Sequence, residues 1–505
     1  MVGRRSILRL GLAGAAAALG AGRAGAQSGG APVPGAVLDD LERMQADPPL
    51  QGVQLRVWTT ETGADRLAVI RYLLDVQATL AGEPQIVFET VRETELVDRM
   101  RRTHAPASRV PVPHVVNTGA DGLMALDALG LLSPAEAGRV LDDLGHGRIL
   151  AGALAAVRRA DGRPAALPFH GWPQMIWTRA DWLRDELDRE PPRTVDELRR
   201  AAHGLHDPAQ GRRGVILGTA GDFYTQQCFL MIARAFGAAI LAPPSSPEDI
   251  HPVLALDTRT MIAALEAYAD LARAAGPGRL TWRARDYYLQ GKAGMLFYST
   301  FLMDDLAIPS VARNSLTDGH FPDLAGAAFD PRLVHETAPV GTLTAGGGRG
   351  AGPAGAVGAF TSINGLGLTG AGGPGERAAA RRLARFLFRP DAYVSWLHMA
   401  PGGMIPVVRG VLESDAFLRD RLGVFQAFGR ETVRRFGEAL TVPSTFSTVG
   451  VGGTAHADPR AALLYADGVV GRMVVRVLDG DDSPATAARR AQMDALGVLK
   501  QRQGR

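Results

Sequence analysis

Val53-Gln54-Leu55-Arg56-Val57-Trp58 alternates apolar and polar side chains, the two-residue period of a strand with one face on a core. The period then changes. Gly63 to Leu80 carries the helical repeat, Gln85-Ile86-Val87-Phe88 is again a strand, and Glu93 to Arg102 is again a helix. Val112-Pro113-His114-Val115-Val116 predicts a third strand, followed by a short helix to Leu131. Strands alternating with helices predict βαβ units and an α/β fold with mostly parallel sheets flanked by helices.

Farther along, Gly214 to Leu217, Ala293 to Tyr298 and Val357 to Thr361 predict strands. Helices are expected over Phe223 to Phe236, Thr258 to Ala274, Arg377 to Phe388 and Arg421 to Phe436, with a last one from Ser483-Pro484 to about Leu499. Ser133-Pro134-Ala135-Glu136 and Thr194-Val195-Asp196-Glu197 read as capping boxes, in which a hydroxyl and a carboxylate satisfy the free amides of a helix start. Thr342 to Gly375 is rich in Gly and Ala and reads as a loop around a strand.

The first 26 residues follow a different grammar. Arg4, Arg5 and Arg9 precede the apolar run Leu10 to Leu19, and Ala24-Gly25-Ala26 is a small-x-small cleavage pattern before Gln27. That is the three-part layout of an export signal. Gly3-Arg4-Arg5-Ser6-Ile7-Leu8 resembles the bacterial twin-arginine signal; the alternative is a general secretory signal. No Cys lies near the cleavage point, so no lipid anchor is expected. Residues 27–52 read as a Pro/Gly/Ala-rich linker.

The chain has 505 residues, 46% apolar and 21% charged, which excludes a disordered protein. Its formal charge is +3, from 55 basic and 52 acidic residues. Removing Arg4, Arg5, Arg9 and Arg23 with the signal leaves 51 basic residues and a net charge of −1. The basicity belongs to the signal, and no basic stripe for a nucleic acid survives. The lone Cys228 excludes a disulfide framework and a Cys-based metal site.

Most chemical motifs fail on context. Gly350-x-Gly352-x-x-Gly355 and Gly365-x-Gly367-x-x-Gly370 match a dinucleotide fingerprint, but neither opens a helix as that chemistry requires. His203 and His206 lack the further ligands of a metal site, and His104 and His114 flank a Pro-rich turn. The adjacent acids Asp304-Asp305 and Asp481-Asp482 read as solvated helix starts. No cofactor is expected. Aromatics beside short polar residues cluster instead at element ends: Trp58-Thr59-Thr60-Glu61, Phe169-His170-Gly171-Trp172, Phe223-Tyr224 and Phe297-Tyr298-Ser299-Thr300-Phe301. Such pairs suit sugars, whose C–H faces stack on rings while their hydroxyls meet polar groups.

The order of several loose motifs resembles the extracellular solute-binding proteins of bacterial ABC importers, in their large sugar-binding group. Met175 to Leu183 followed by Pro191-Pro192-Arg193-Thr194-Val195-Asp196-Glu197-Leu198 is similar to that family's strand, partner helix and next helix start. Gly291-Lys292-Ala293-Gly294-Met295 with Ser299-Thr300-Phe301, then Trp396, Gly402-Gly403 and Ile405-Pro406, then Gly480 to Ala488, continue the series. The resemblance runs from Val53 to Leu499. Two features depart from it: Ser299 and Phe301 stand where Gly and Trp are usual, and the Gly-rich loop is long.

The resemblance implies two α/β lobes, 53–167 plus 300–368 and 168–299 plus 369–505, with a ligand cleft between them. It implies no catalysis, a monomer, and delivery of a mono- or oligosaccharide or polyol to the transmembrane subunits of an ABC permease. Location would be periplasmic or extracellular after the export machinery has acted on the signal. Thr60, Glu61 and Asp121 would take hydroxyls from one lobe, facing His170, Trp172, Phe223 and Tyr224. Ser299 and Phe301 would lie near the hinge, and the Gly402–Gly403 backbone close to the ligand. Alternatives are an exported glycosidase or lyase, or the same fold serving a polyamine, peptide or glycerophosphodiester.

Overall fold

Strand β1 (Gln54–Thr59) runs parallel to β2 (Gln85–Thr90) on one side and to β3 (Val115–Gly119) on the other. The register sets Val57 beside Phe88 and Val115, so the apolar alternation of β1 faces one core. These coordinates are a computed structural model that describes residues 50–82, 84–243, 253–308, 321–324, 328–340, 343–345, 360–449 and 456–503. The expected export signal, with Arg4 and Arg5, and the linker to residue 49 lie outside them. Leu50 is already buried, with its amide bonded to the Ala81 carbonyl, so the linker ends before residue 52.

Helices Ala64–Leu80, Glu93–Thr103 and Ala120–Ala128 follow β1, β2 and β3 in turn. All three therefore start at the C-terminal edge of the parallel strands, where α/β folds place their ligands.

The longest strand is β4 (Leu167–Arg179), 13 residues, buried almost throughout. A strand buried on both faces loses the two-residue alternation, and Pro168 and Pro173 interrupt it further. For that reason the sequence reading caught only its end at Met175. β5 (Leu241–Ala242) and β6 (Val253–Leu254) form a separate antiparallel pair. β7 (Met295–Ser299) and β8 (Thr337–Val340) pair antiparallel with the far half of β4, and β9 (Phe360–Leu368) pairs antiparallel with its near half. β9 also pairs antiparallel with β3, and β10 (Ile405–Pro406) with His170 and Gly171. The eight-stranded sheet is thus parallel in β2-β1-β3, while β4 and β9 carry it from the first α/β half into the second.

The division of the chain between the halves differs from the expected boundaries. Helix Pro374–Leu387 packs on the first half, where Arg381 pairs with Glu136 and Arg385 with Asp143 at 2.9 Å. β8 and Asp330 sit on the far half of β4, with Asp330 3.4 Å from Arg179. Residues after 369 therefore do not all join the second lobe, nor those after 300 the first.

Local expectations also shift. Thr194 caps its helix, accepting from the Glu197 amide at 3.1 Å. Ser133 makes no such bond: Glu136 is drawn to Arg139 and Arg381, and Pro134 alone opens helix Pro134–Leu144. The helix expected over 421–436 divides into Val424–Phe428 and Arg430–Ala439, because Gly429 takes an extended conformation with a positive φ of 80°, open to glycine and incompatible with a continuous helix. Residues 214–217 lie beside β7 through single parallel bridges at Arg213 and Ile216 rather than as a strand. Phe360 opens the strand predicted from Val357; residues 346–359, including Gly350 to Gly355, lie outside the described residues. Gly365 and Gly367 lie inside β9, where a Cβ on Gly365 would fall 2.5 Å from the Leu167 carbonyl.

Asp304 and Asp305 are buried rather than solvated, and Asp482 is bound to Arg490 at 3.0 Å. Cys228 is buried, with the Gln174 amide group 3.5 Å from its sulfur. Among the described residues no helix is long and apolar enough to cross a membrane, and no His, Cys, Asp and Glu cluster could hold a metal.

Candidate functional site

At the parallel strands' C-terminal edge a cavity of about 180 Å³ opens between the two halves. One wall comes from chain turns after β1 and β3 and from helix starts: Thr60, Glu61, Arg66, Glu93, Asn117, Gly119 and Asp121. The crossing strands supply His170 and Trp172 from β4, and Ser362 and Asn364 from β9. Phe223, Gln227, Phe301, Trp396, Met404 and Tyr465 complete the lining.

The polar wall is braced from behind. Thr59 Oγ1 donates to Asn117 Oδ1 at 2.9 Å, and Asn117 Nδ2 donates to the Gly365 carbonyl at 3.2 Å, tying β1, β3 and β9 together. Glu61 meets Arg66 at 3.1 Å and accepts the Thr62 and Gly63 amides at 2.9 and 3.1 Å. Burial pushes its carboxyl up, yet the Arg66 guanidinium and these amides outweigh burial and hold the carboxyl below its ordinary value.

Three other carboxyls are pushed up, each chiefly by burial. Glu93 reaches about 7, with Asp121 adding like-charge repulsion. Asp121 reaches about 6, although Ser447 donates to it and Arg234 attracts it. Asp304 reaches about 7 behind the cleft, despite accepting the Gly402 and Gly403 amides at 2.9 and 3.0 Å. Glu93 lines the cavity and remains an exposed residue, while its carboxyl is desolvated.

Burial drives His170 the other way, to about 3, so it is a neutral imidazole. His170 is 1% exposed and its Nδ1 has no partner; the Nε1 of Trp396, 3% exposed, has none either. Both side chains line the cleft. A buried polar atom without a partner costs about 1–3 kcal/mol, which a ligand hydroxyl would recover.

Aromatic rings complete the lining. Tyr465 stacks between Phe223, centroids 5.6 Å apart, and Phe360 at 6.5 Å, and Trp172 lies 6.0 Å beyond Phe360. The guanidinium of Arg66 sits 4.9 Å from the Phe301 ring.

Of the residues expected from sequence, Thr60, Glu61, Asp121, His170, Trp172, Phe223 and Phe301 line the cleft. Tyr224 does not; it is buried, donating its hydroxyl to the Phe297 carbonyl at 2.6 Å. Ser299 ends β7 opposite Gln174 and is not part of the lining. Gly402 and Gly403 lie one layer back, on Asp304, with Gly403 against the Phe301 ring. Arg66, Glu93, Asn117, Ser362, Asn364, Trp396 and Tyr465 were not singled out as cleft residues, although Glu93 was legible as a carboxylate opening a helix at a strand's end.

A pH dependence follows. Glu93, Asp121 and Asp304 have folded pKa values above their unfolded ones, so each stabilises the fold below its unfolded pKa and loses that contribution as pH rises toward about 6–7. His170 opposes them, since the unfolded imidazole gains its proton below its ordinary 6.5 and the folded one does not until about 3. Three carboxyls outweigh one imidazole, so the unliganded protein should melt several degrees higher at about pH 5.5 than at about pH 8. A melting temperature that stays level or rises from about pH 5.5 to about pH 8 would contradict the assignment.

No model of a known protein family matches the chain. The chain is 26% identical over 392 residues to the ABC transporter periplasmic-binding protein YcjN of Escherichia coli (strain K12), over 77% of this chain and 80% of that one. Among solved structures, maltose-bound MalE3 of T. maritima superposes with a TM-score of 0.64 at 17% identity, over 88% of this chain and 100% of the other. An ABC transporter solute-binding protein of Agrobacterium radiobacter K84 in complex with ribitol gives 0.65 at 17% identity, over 89% and 99%. One from Agrobacterium vitis S4 with bound D-mannitol gives 0.61 at 16%, again over 89% and 99%. The chain therefore has the two-lobed α/β fold of these binding proteins.

Proposed function

We propose that this protein is the substrate-binding component of an ABC importer, which encloses a sugar or polyol between its lobes and delivers it to a membrane permease. The observation that carries the reading is the cleft itself: polar side chains at the strand ends and aromatic rings line one cavity, with the His170 and Trp396 nitrogens unpartnered. Rings take the C–H faces of a sugar, and the polar groups take its hydroxyls. The ligands of the similar structures, maltose, ribitol and D-mannitol, belong to the same chemical class. A cavity of about 180 Å³ slightly exceeds one that admits benzene, so it suits one sugar ring or a short polyol.

With an export signal at its N-terminus, the chain acts outside the cytoplasm, as a monomer without catalysis. Titration calorimetry of the mature protein, freed of bound ligand by unfolding and refolding, tests the reading against monosaccharides, disaccharides and alditols. Saturable binding of at least one is expected; a folded protein that binds none overturns it. The raised carboxyls Glu93 and Asp121 favour one second reading, an exported glycosidase. Both rise from the same wall of the cleft, however, whereas glycoside hydrolysis needs carboxyls flanking the bond. Chromogenic glycosides are expected to survive incubation with the protein, and their turnover would replace transport by catalysis.

A further inference from the structure

The acidic end of the cleft is not balanced by protein. Glu61, Glu93 and Asp121 line it, against Arg66 alone among the lining cations. Glu61 is neutralised by Arg66. Asp121 accepts from Ser447 and has Arg234 behind it, buried against the Phe360 ring at 5.6 Å. Glu93 is different. Among the described residues its carboxylate makes no hydrogen bond or ion pair, and Asp121 is the charged group it feels. Its Oε1 lies over Gly119, beside the Asn364 carboxamide oxygen, so the nearest neutral groups do not supply a cation either.

A desolvated carboxylate without a counter-charge is costly, and Glu93 faces the cavity in that state with Asp121 adding like-charge repulsion. The same cavity is lined by the Trp396 indole, whose buried N–H has no acceptor, and by the His170 imidazole, whose Nδ1 has no partner. These side chains call for oxygen-bearing groups on the ligand, and the carboxylates call for a cation. One class of molecule offers both.

We infer that the ligand is an amino sugar or amino polyol whose protonated amine is held by Glu93 and Asp121 while its hydroxyls meet His170 and Trp396. This rests on the sugar or polyol reading above and narrows it. Nitrogen at this point would make two charge-assisted hydrogen bonds where a hydroxyl makes weaker ones. An N-acetylated nitrogen would lose the charge and add bulk beside Glu93, Gly119 and Asn364.

The test uses matched triplets at pH 7: glucose, glucosamine and N-acetylglucosamine, the galactose and mannose counterparts, and sorbitol beside 1-amino-1-deoxysorbitol. Calorimetry should show at least one free amine binding roughly ten- to a hundredfold tighter than its parent and its amide. Glu93→Gln should remove that preference, read as the ratio of the amine's affinity to its parent's in the same variant. Because Glu93 bonds to no described protein group, this variant should fold, as far-UV circular dichroism will check. Asp121→Asn, which keeps an acceptor for Ser447, should reduce the preference in the same direction. If neutral sugars bind and no amine is preferred, or if Glu93→Gln keeps the preference, the inference falls and the sugar reading stands. If no compound in any form binds, both fall.

Discussion

Gly403→Ala is expected to reduce ligand affinity by roughly a hundredfold and to destabilise the fold by about 1–3 kcal/mol, the usual range for forcing a methyl into a packed site. A Cβ at Gly403 would fall 2.0 Å from Phe301 Cδ1, with two further ring atoms at 2.2 and 2.3 Å. The ring has the cleft on one side, so the added methyl displaces it there. Behind it the Gly402 and Gly403 amides are fixed to Asp304, and in front of it lies Arg66. The substitution therefore moves Phe301 out of the cleft wall and disturbs the Arg66–Glu61 pair together with it. Gly119→Ala is the control. There the nearest atoms are Glu93 Oε1 at 3.5 Å and Asn364 Oδ1 at 3.6 Å, ordinary contact distances. That variant should melt like the parent and lose affinity only through the methyl it adds to the cleft. Gly403→Ala that melts and binds as the parent does would show that Phe301 is not a wall of the site.

Tyr465→Ala is expected to cost about 3–5 kcal/mol of stability, as large aromatic truncations do, and to weaken binding by about two orders of magnitude. Tyr465 is the middle ring of the column from Phe223 to Phe360, so its loss removes the ring stacked on each of them and opens the cleft to water. Its backbone carbonyl accepts the Gln226 side chain at 3.1 Å, a bond that survives the change. The defect is therefore confined to the ring. Tyr465→Phe keeps the column and should retain most of both properties. Unchanged affinity in Tyr465→Ala, with folding intact, would show that the ring column is packing and not a ligand surface.

These two residues also mark the limit of what could be read without coordinates. Gly402-Gly403 was expected close to the ligand through a resemblance, and it acts one layer behind, on Asp304 and the Phe301 ring. Tyr465 carried no signal, because one aromatic in an apolar helix has the same pattern whether it meets core or cavity. Phe223 and Tyr224 show the same ambiguity within a pair. A helix turns about 100° per residue, so adjacent aromatics face different ways: Phe223 meets the cleft, and Tyr224 points at the Phe297 carbonyl. Asn117 and Asn364 lie in buried strands, where polar residues give no periodic cue, yet they brace and line the site.

The sequence by itself determined the order of strands and helices from Val53 to Leu131 and the helix starts with Pro at the first position. Those depend on near neighbours: side-chain period, amide capping and residue type. Only the tertiary structure decided the cleft. β4 and β9 cross from one half to the other, and the contacts that close the site join residues far apart in the chain. Asn117 reaches Gly365 across 248 positions, and Ser447 reaches Asp121 across 326. Which carboxylate ends with a partner and which, like Glu93, faces the cavity alone is set by those long-range contacts and by burial, neither of which has a local signature.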